Sequence, residues 1–392
     1  MTRVTARQVI KSLLIISAAV LLGVLMLVTF FMLIPRNWDG IGSMGALALM
    51  FPTQLFAISA ISILLGLICH TLRISLGTVL FIAATALSFL MAAVPLIATL
   101  HHAGQQSLHV SLSTSVKLDT NDRQGQQGRT ETYVKLADGS ALQLDIWAPS
   151  SQDYPGPAII KVHGGAWTHG ARHEMTAWDH WLREQGYTVF DISYRLSPPA
   201  RWQHAVGDVK AALSWVVLHA ESLNVDPDRL CMMGYSAGGH LSMMAAFTPE
   251  HPSFPTTGYA TSIRPACVIN LYGISDLGRL YENSGSLSYI RSAMRDYTGG
   301  TPSDYPELYQ LISPVNHVDE ASPPTLTILG QQDRIVPEEQ ALLLDEAFQR
   351  AGAHHELWLI PAADHGFDFN WNGLATQAAR QRVSRFLETW AR

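Results

Sequence analysis

The chain has 392 residues, room for one enzyme-sized domain and an attachment. Its charges are unevenly placed: the first 100 positions hold five basic and one acidic residue, a net +4, which leaves −10 on the rest of a chain that totals −6. A domain at −10 repels phosphate backbones and excludes a nucleic-acid partner, while 48% apolar residues against 15% charged exclude a wholly soluble chain.

Residues 13–34 carry no charge, and 22 positions suffice for a bilayer core of about 30 Å at about 1.5 Å per residue. Two further charge-free runs, 46–67 and 75–100, predict a second and a third span. Pro52 and Gln54 weaken the second, although membrane helices tolerate such residues where neighbours satisfy the freed polar groups. A cleavable signal peptide has an apolar region of about 7–15 residues, shorter than the first run, and would not be succeeded by two more. Arg3, Arg7 and Lys11 precede the first span and Arg73 separates the second from the third, whereas Arg36 stands alone between the first two. The positive-inside rule therefore places the N-terminus in the cytoplasm, and three crossings deliver the remainder of the chain to the extracytoplasmic side. The expected organisation is a multi-pass membrane region over 1–100, a polar linker over 101–130, and a folded domain over 131–392.

From residue 133 onward short apolar runs alternate with helical patterns, the sign of a mostly parallel sheet covered on both faces by helices. Runs at 133–136 and 141–147 flank Asp138-Gly139 and predict an opening hairpin. Six later strands are expected at 158–162, 188–192, 230–234, 266–271, 325–329 and 356–360, giving eight in all. Helices are expected over 205–223, 240–247, 337–350 and 375–390, the third starting on a proline that suits a first turn.

Gly234-Tyr235-Ser236-Ala237-Gly238 matches G-x-S-x-G and lies between a strand and a helix, the context that lifts a serine hydroxyl above a sheet edge. A hydroxyl is a poor nucleophile until a base takes its proton, and the base needs an orienting carboxylate. Asp333 comes after the strand at 325–329 and His365 after the strand at 356–360, so the order is Ser236, Asp333, His365. Upstream, His163-Gly164-Gly165-Ala166-Trp167 comes directly after the strand at 158–162, where Gly164 and Gly165 with the N–H of Ala237 are candidate donors to an oxyanion.

These motifs resemble the α/β-hydrolase family, on its esterase and lipase branch with an HGG oxyanion motif, similar to hormone-sensitive-lipase-like and feruloyl-esterase-like enzymes. The resemblance spans roughly 133–392 and includes Asp191-Ile192-Ser193-Tyr194-Arg195 and Asp226-Pro227-Asp228-Arg229-Leu230. Gln332-Asp333-Arg334-Ile335-Val336-Pro337 looks closer to the feruloyl-esterase or exopeptidase pattern. The resemblance implies an α/β-hydrolase fold and a carboxylesterase acting through an acyl-enzyme, with Ser236 as nucleophile, His365 as base and Asp333 as its orienting acid. It implies no cofactor and no metal. The partners expected are a small-molecule, lipid or polysaccharide ester and membrane lipid; a serine exopeptidase, an acyltransferase and a non-catalytic binding module are the alternatives.

Trp167 and Tyr235 are candidate pocket residues, although an aromatic at 167 is equally explained by packing under the loop. Asp276 reads as a capping carboxylate rather than the acid, and Asp364 adjoins His365 too closely to face its ring. His169, His173 and Glu174 form an incomplete ligand set. Cys231 and Cys267 fall in strands expected to be neighbours and read as small buried hydrophobes rather than a disulfide. Tyr281, Tyr289, Tyr297 and Tyr305 mark a long connection, 277–314, that suggests a lid.

Overall fold

The computed structural model describes residues 6–33 (28–33 as backbone), 49–122, 128–150, 154–259, 263–283 and 288–391. Three helices come first, α1 (Ala6–Leu33), α2 (Pro52–Thr71) and α3 (Ser75–Gln105), each long and apolar enough to cross a membrane. Ile34 and residues 46–48 of the expected spans lie outside the described residues. Pro52, expected to weaken the second span from within, opens it instead: in the first turn its missing N–H is not needed. Helix α3 runs to Gln105 and measures about 46 Å, longer than a hydrocarbon core of about 30 Å.

The eight expected strands all form, in one sheet of order β1-β2-β4-β3-β5-β6-β7-β8. They are β1 (Arg129–Lys135), β2 (Ala141–Trp147), β3 (Gly156–Val162), β4 (Thr188–Ile192), β5 (Val225–Tyr235), β6 (Cys267–Leu271), β7 (Thr325–Gly330) and β8 (His355–Ile360). The opening hairpin is antiparallel and pairs antiparallel with β4; every later pairing is parallel. Parallel strands need crossovers, and the helices that supply them cover both faces. The crossover helices include α4 (Thr176–Glu184), α5 (Trp202–Leu218), α6 (Ala237–Phe247), α7 (Leu277–Asn283), α8 (Ser288–Thr298) and α9 (Glu338–Ala351), and α10 (Leu374–Trp390) follows the last strand. The central strands β3 to β7 are buried along nearly their whole length, as a two-faced sheet requires.

Two expectations are corrected here. Cys231 and Cys267 are joined as a disulfide rather than lying side by side as thiols. The parallel register sets them directly opposite each other on β5 and β6, their Cα atoms 4.7 Å apart, a separation that permits the bridge. The stretch expected to be a polar linker is docked instead. Ala103 and Leu108 are buried in the main core, Ser115 O accepts hydrogen bonds from Thr53 Oγ1 (2.8 Å) and Gln54 Nε2 (2.9 Å), and Thr120 bridges Asn370 in antiparallel fashion. Backbone groups of the stretch bond to distant side chains, among them Ser111 N–H to Gln377 Oε1 (2.7 Å), and Asn121 Nδ2 donates to Asp368 O (3.0 Å).

Candidate active site

At the end of β5 the chain turns sharply into α6, and Ser236 sits on the turn with φ +55° and ψ −123°, a strained conformation for a residue with a side chain. Its N–H donates to Leu271 O (3.0 Å), which ties the turn to β6. Gly238 is needed because a Cβ there would stand 2.1 Å from Val162 O; helix and strand approach too closely for any side chain. The result is a serine hydroxyl at the carboxyl edge of the sheet, beside the first N–H groups of a helix, which have no intrahelical partner.

Two loops bring the other groups. After β7, Asp333 is fully buried; its Oδ1 accepts the N–H of Ile335 (2.9 Å) and of Val336 (2.7 Å), leaving Oδ2 to face His365. After β8, His365 lies with Nδ1 2.8 Å from Asp333 Oδ2 and Nε2 3.0 Å from Ser236 Oγ. An unbroken hydrogen-bond chain thus joins three residues separated by up to 129 positions. Burial works to lower the imidazole's pKa, but the charge and hydrogen bond of Asp333, with Asp364 and Asp368 behind it, hold it above its ordinary value of 6.5.

Asp368 was not evident from sequence. It accepts Tyr272 Oη–H (2.6 Å) and Trp178 Nε1–H (2.7 Å), and the Tyr272 ring packs edge-on against His365 with centroids 4.7 Å apart. Asp364 does not face the ring: its Oδ1 accepts the N–H of His365 (2.7 Å) and of Arg334 (2.9 Å), splicing the two loops. Burial and the nearby Asp333 charge push its carboxyl up to about 6. Asp276 accepts the Arg279 N–H (2.9 Å) at the start of α7, a cap as expected.

Gly164 and Gly165 border the same cleft. Gly165 has φ +103°, and a Cβ there would meet His169 O at 2.0 Å, so only glycine fits. The Gly164 carbonyl accepts from His163 Nδ1 (2.8 Å) and Tyr194 Oη (3.2 Å), which fixes the 164–165 peptide plane. The cleft holds about 520 Å³, is mainly apolar, and is bordered by Ser236, His365, Tyr235, Gly164 and Gly165. Trp167 is not in its wall. Both Ala166 and Trp167 adopt positive φ, and the indole is turned under the loop, stacked on Tyr297 (4.8 Å) with its N–H donated to His240 Nδ1 (3.1 Å). Of the four candidate lid tyrosines, Tyr289 on α8 reaches the cleft, while Tyr297 is core and Tyr281 packs on Tyr309. Residues 284–287 of that connection lie outside the described residues. His169 borders the cleft but His173 faces Asp145 (3.7 Å), so the pair does not converge.

Residues 144–348 match the BD-FAE family model. The chain belongs to the BD-FAE family. Among relatives of this BD-FAE protein, esterase LipC of Mycobacterium tuberculosis (strain ATCC 25618 / H37Rv) is 31% identical over 263 residues, 65% of this chain and 64% of LipC. The probable carboxylic ester hydrolase LipM of the same organism is 31% identical over 246 residues, 62% of this chain and 57% of LipM. The chain therefore spans less than two thirds of either relative's length. A solved structure of the thermophilic esterase Est2 from the Planctomycetes species Thermogutta terrifontis, with propionate bound, superposes with a TM-score of 0.57 at 26% identity, covering 67% of this chain and 94% of that one.

Proposed function

We propose that the protein is a membrane-anchored serine hydrolase that cleaves carboxylic esters through an acyl-enzyme. The observation that carries this is the Ser236–His365–Asp333 hydrogen-bond chain at a strained strand-to-helix turn. Ser236 Oγ attacks the ester carbonyl as its proton passes to His365 Nε2; Asp333 stabilises the imidazolium through Nδ1–H. The oxyanion is held by the N–H groups of Gly164, Gly165 and Ala237. Because a trans peptide points its C=O and N–H oppositely, the Gly164 carbonyl tied to His163 and Tyr194 leaves the Gly165 N–H directed away from them. His365 then protonates the leaving alcohol, activates water, and the acid departs.

The three apolar helices anchor the domain, and the basic residues Arg3, Arg7, Lys11 and Arg73 favour a cytoplasmic N-terminus with the hydrolase outside. The Cys231–Cys267 bridge supports that side, since disulfides persist in oxidising compartments. A fluorophosphonate probe tests the reading: it labels the full-length protein covalently and does not label Ser236→Ala. A folded wild-type protein that stays unlabelled rejects it.

Catalysis needs a neutral His365, so kcat/KM rises with pH through the raised imidazole pKa, and the acid limb lies above pH 6.5. Asp368→Asn removes one of the carboxylates that hold the proton on the ring. The acid limb of its pH–rate profile is expected to move to lower pH; a limb that stays put or moves up contradicts this electrostatic account.

A further inference from the structure

The hydrolase domain is seated directly on the ends of α2 and α3. The His102 ring of α3 stacks on Trp358 of β8 with centroids 5.6 Å apart, Arg385 of α10 donates to Gln106 O and Ser107 O, and Leu374 of α10 is buried in the cluster formed by Leu55, Ala92 and Leu96. Met50, two residues before α2 begins, borders the catalytic cleft. Its carbonyl is held by Asn370 Nδ2 (2.9 Å), and its Cε lies 3.7 Å from where a Cβ on Gly366 would stand, next to His365. A spanning helix thus starts within two residues of the wall of the reaction site.

Around the same helix end the surface is apolar. Phe369, which also borders the cleft, is 44% exposed. The segment hydrogen-bonded to it and to Thr53 and Gln54 carries Leu112, Val116 and Leu118 at 49%, 50% and 68% exposure. Single exposed hydrophobes are ordinary, but several gathered at the outer end of a spanning helix match the level of the lipid headgroups.

We infer that the site draws its ester from the bilayer: the substrate is a long-chain amphiphilic acyl ester of the outer leaflet, whose chain passes over Met50 and Phe369 to place its carbonyl at Ser236. This rests on the ester-hydrolase reading above and narrows it to a substrate class. The acyl C–O bond breaks, and water supplies the hydroxyl of the released acid and the proton of the released alcohol.

The test uses full-length protein in phosphatidylcholine vesicles, with dioleoylglycerol in the bilayer and p-nitrophenyl butyrate in water. Dioleoylglycerol is expected to be cleaved in protein-bearing vesicles and much more slowly in added protein-free vesicles. Met50→Asp places a carboxylate in the acyl path and is expected to lower the ratio of dioleoylglycerol to butyrate kcat/KM by about tenfold, with Met50→Leu restoring it. Phe369→Asp, at an exposed position, is expected to lower the same ratio if Met50→Asp does not fold. Turnover of butyrate without dioleoylglycerol, equal cleavage in both vesicle populations, or a ratio unmoved in the folded variants overturns the inference. Absence of both turnover and fluorophosphonate labelling instead rejects the hydrolase reading itself.

Discussion

Ser236→Ala is expected to lower kcat on p-nitrophenyl butyrate by about a millionfold, and Asp333→Asn by about ten-thousandfold. The first removes the only oxygen within 3.0 Å of His365 Nε2 that the described hydrogen bonds provide as a nucleophile. The second leaves the geometry nearly intact and changes the proton's address. With a carboxylate at 333, Nδ1 carries the proton and Nε2 is free to accept one from Ser236; an amide at 333 that presents its NH2 group forces the other tautomer, and Nε2 then cannot act as base. The proposed oxyanion donors are untouched by both changes and are expected to sustain a residual rate above that in water. Because the triad acts as a unit, Ser236→Ala combined with His365→Ala is expected to be no slower than either alone. Measured kcat values for the purified full-length variants check this. A Ser236→Ala enzyme keeping about a hundredth of its activity or more, far above that residual, would show that another group carries the chemistry.

That this site could be read from sequence at all reflects how locally its parts are written. A serine on a strained turn needs small residues two positions away on each side, and the packing of Gly238 against Val162 O is the physical content of that spacing. The strands were readable because a buried parallel strand is a short apolar run between turn residues; all eight formed, with ends displaced by a few residues. What sequence did not reveal depends on register or on distant contact. Neighbouring strands for Cys231 and Cys267 were expected, but a bridge depends on their standing opposite each other, and no composition encodes that. Trp167 lies close to the candidate oxyanion glycines Gly164 and Gly165, yet the positive φ at 166 and 167 sends its ring beneath the loop. Met50 reaches the cleft through a contact with Asn370 that spans 320 positions, and Asp368 is held where its charge acts on His365 by hydrogen bonds from Tyr272 and Trp178, which are distant in sequence. The stretch after α3 reads as a linker because the partners of its backbone, Gln377, Gln381 and Arg385, lie far away in the chain.

Lys161→Met is expected to destabilise the domain by about 3–5 kcal/mol, the range for removing one partner of a buried ion pair. Lys161 lies inside β3, fully buried, with Nζ 2.6 Å from Asp179 Oδ2 and 3.3 Å from Asp191 Oδ2, both carboxylates also fully buried. Burial opposes the ammonium's charge, and the two carboxylates more than restore it, holding its pKa above the ordinary value of 10.5. Without the lysine the two acids face each other in a dry site, and repulsion adds to their desolvation. The same Nζ donates to Glu174 O (2.8 Å), so the loop carrying Met175 at the edge of the cleft loses its tether as well. Asp191 has a second task, accepting the His173 N–H (2.6 Å), which an asparagine oxygen can also do. The triple variant Lys161→Met, Asp179→Leu, Asp191→Asn is therefore expected to recover most of the lost stability, since it leaves no buried charge unpaired. Denaturant unfolding of the full-length protein in detergent distinguishes the cases. A single variant as stable as wild type would mean that the buried acids are neutral and the lysine contributes packing alone.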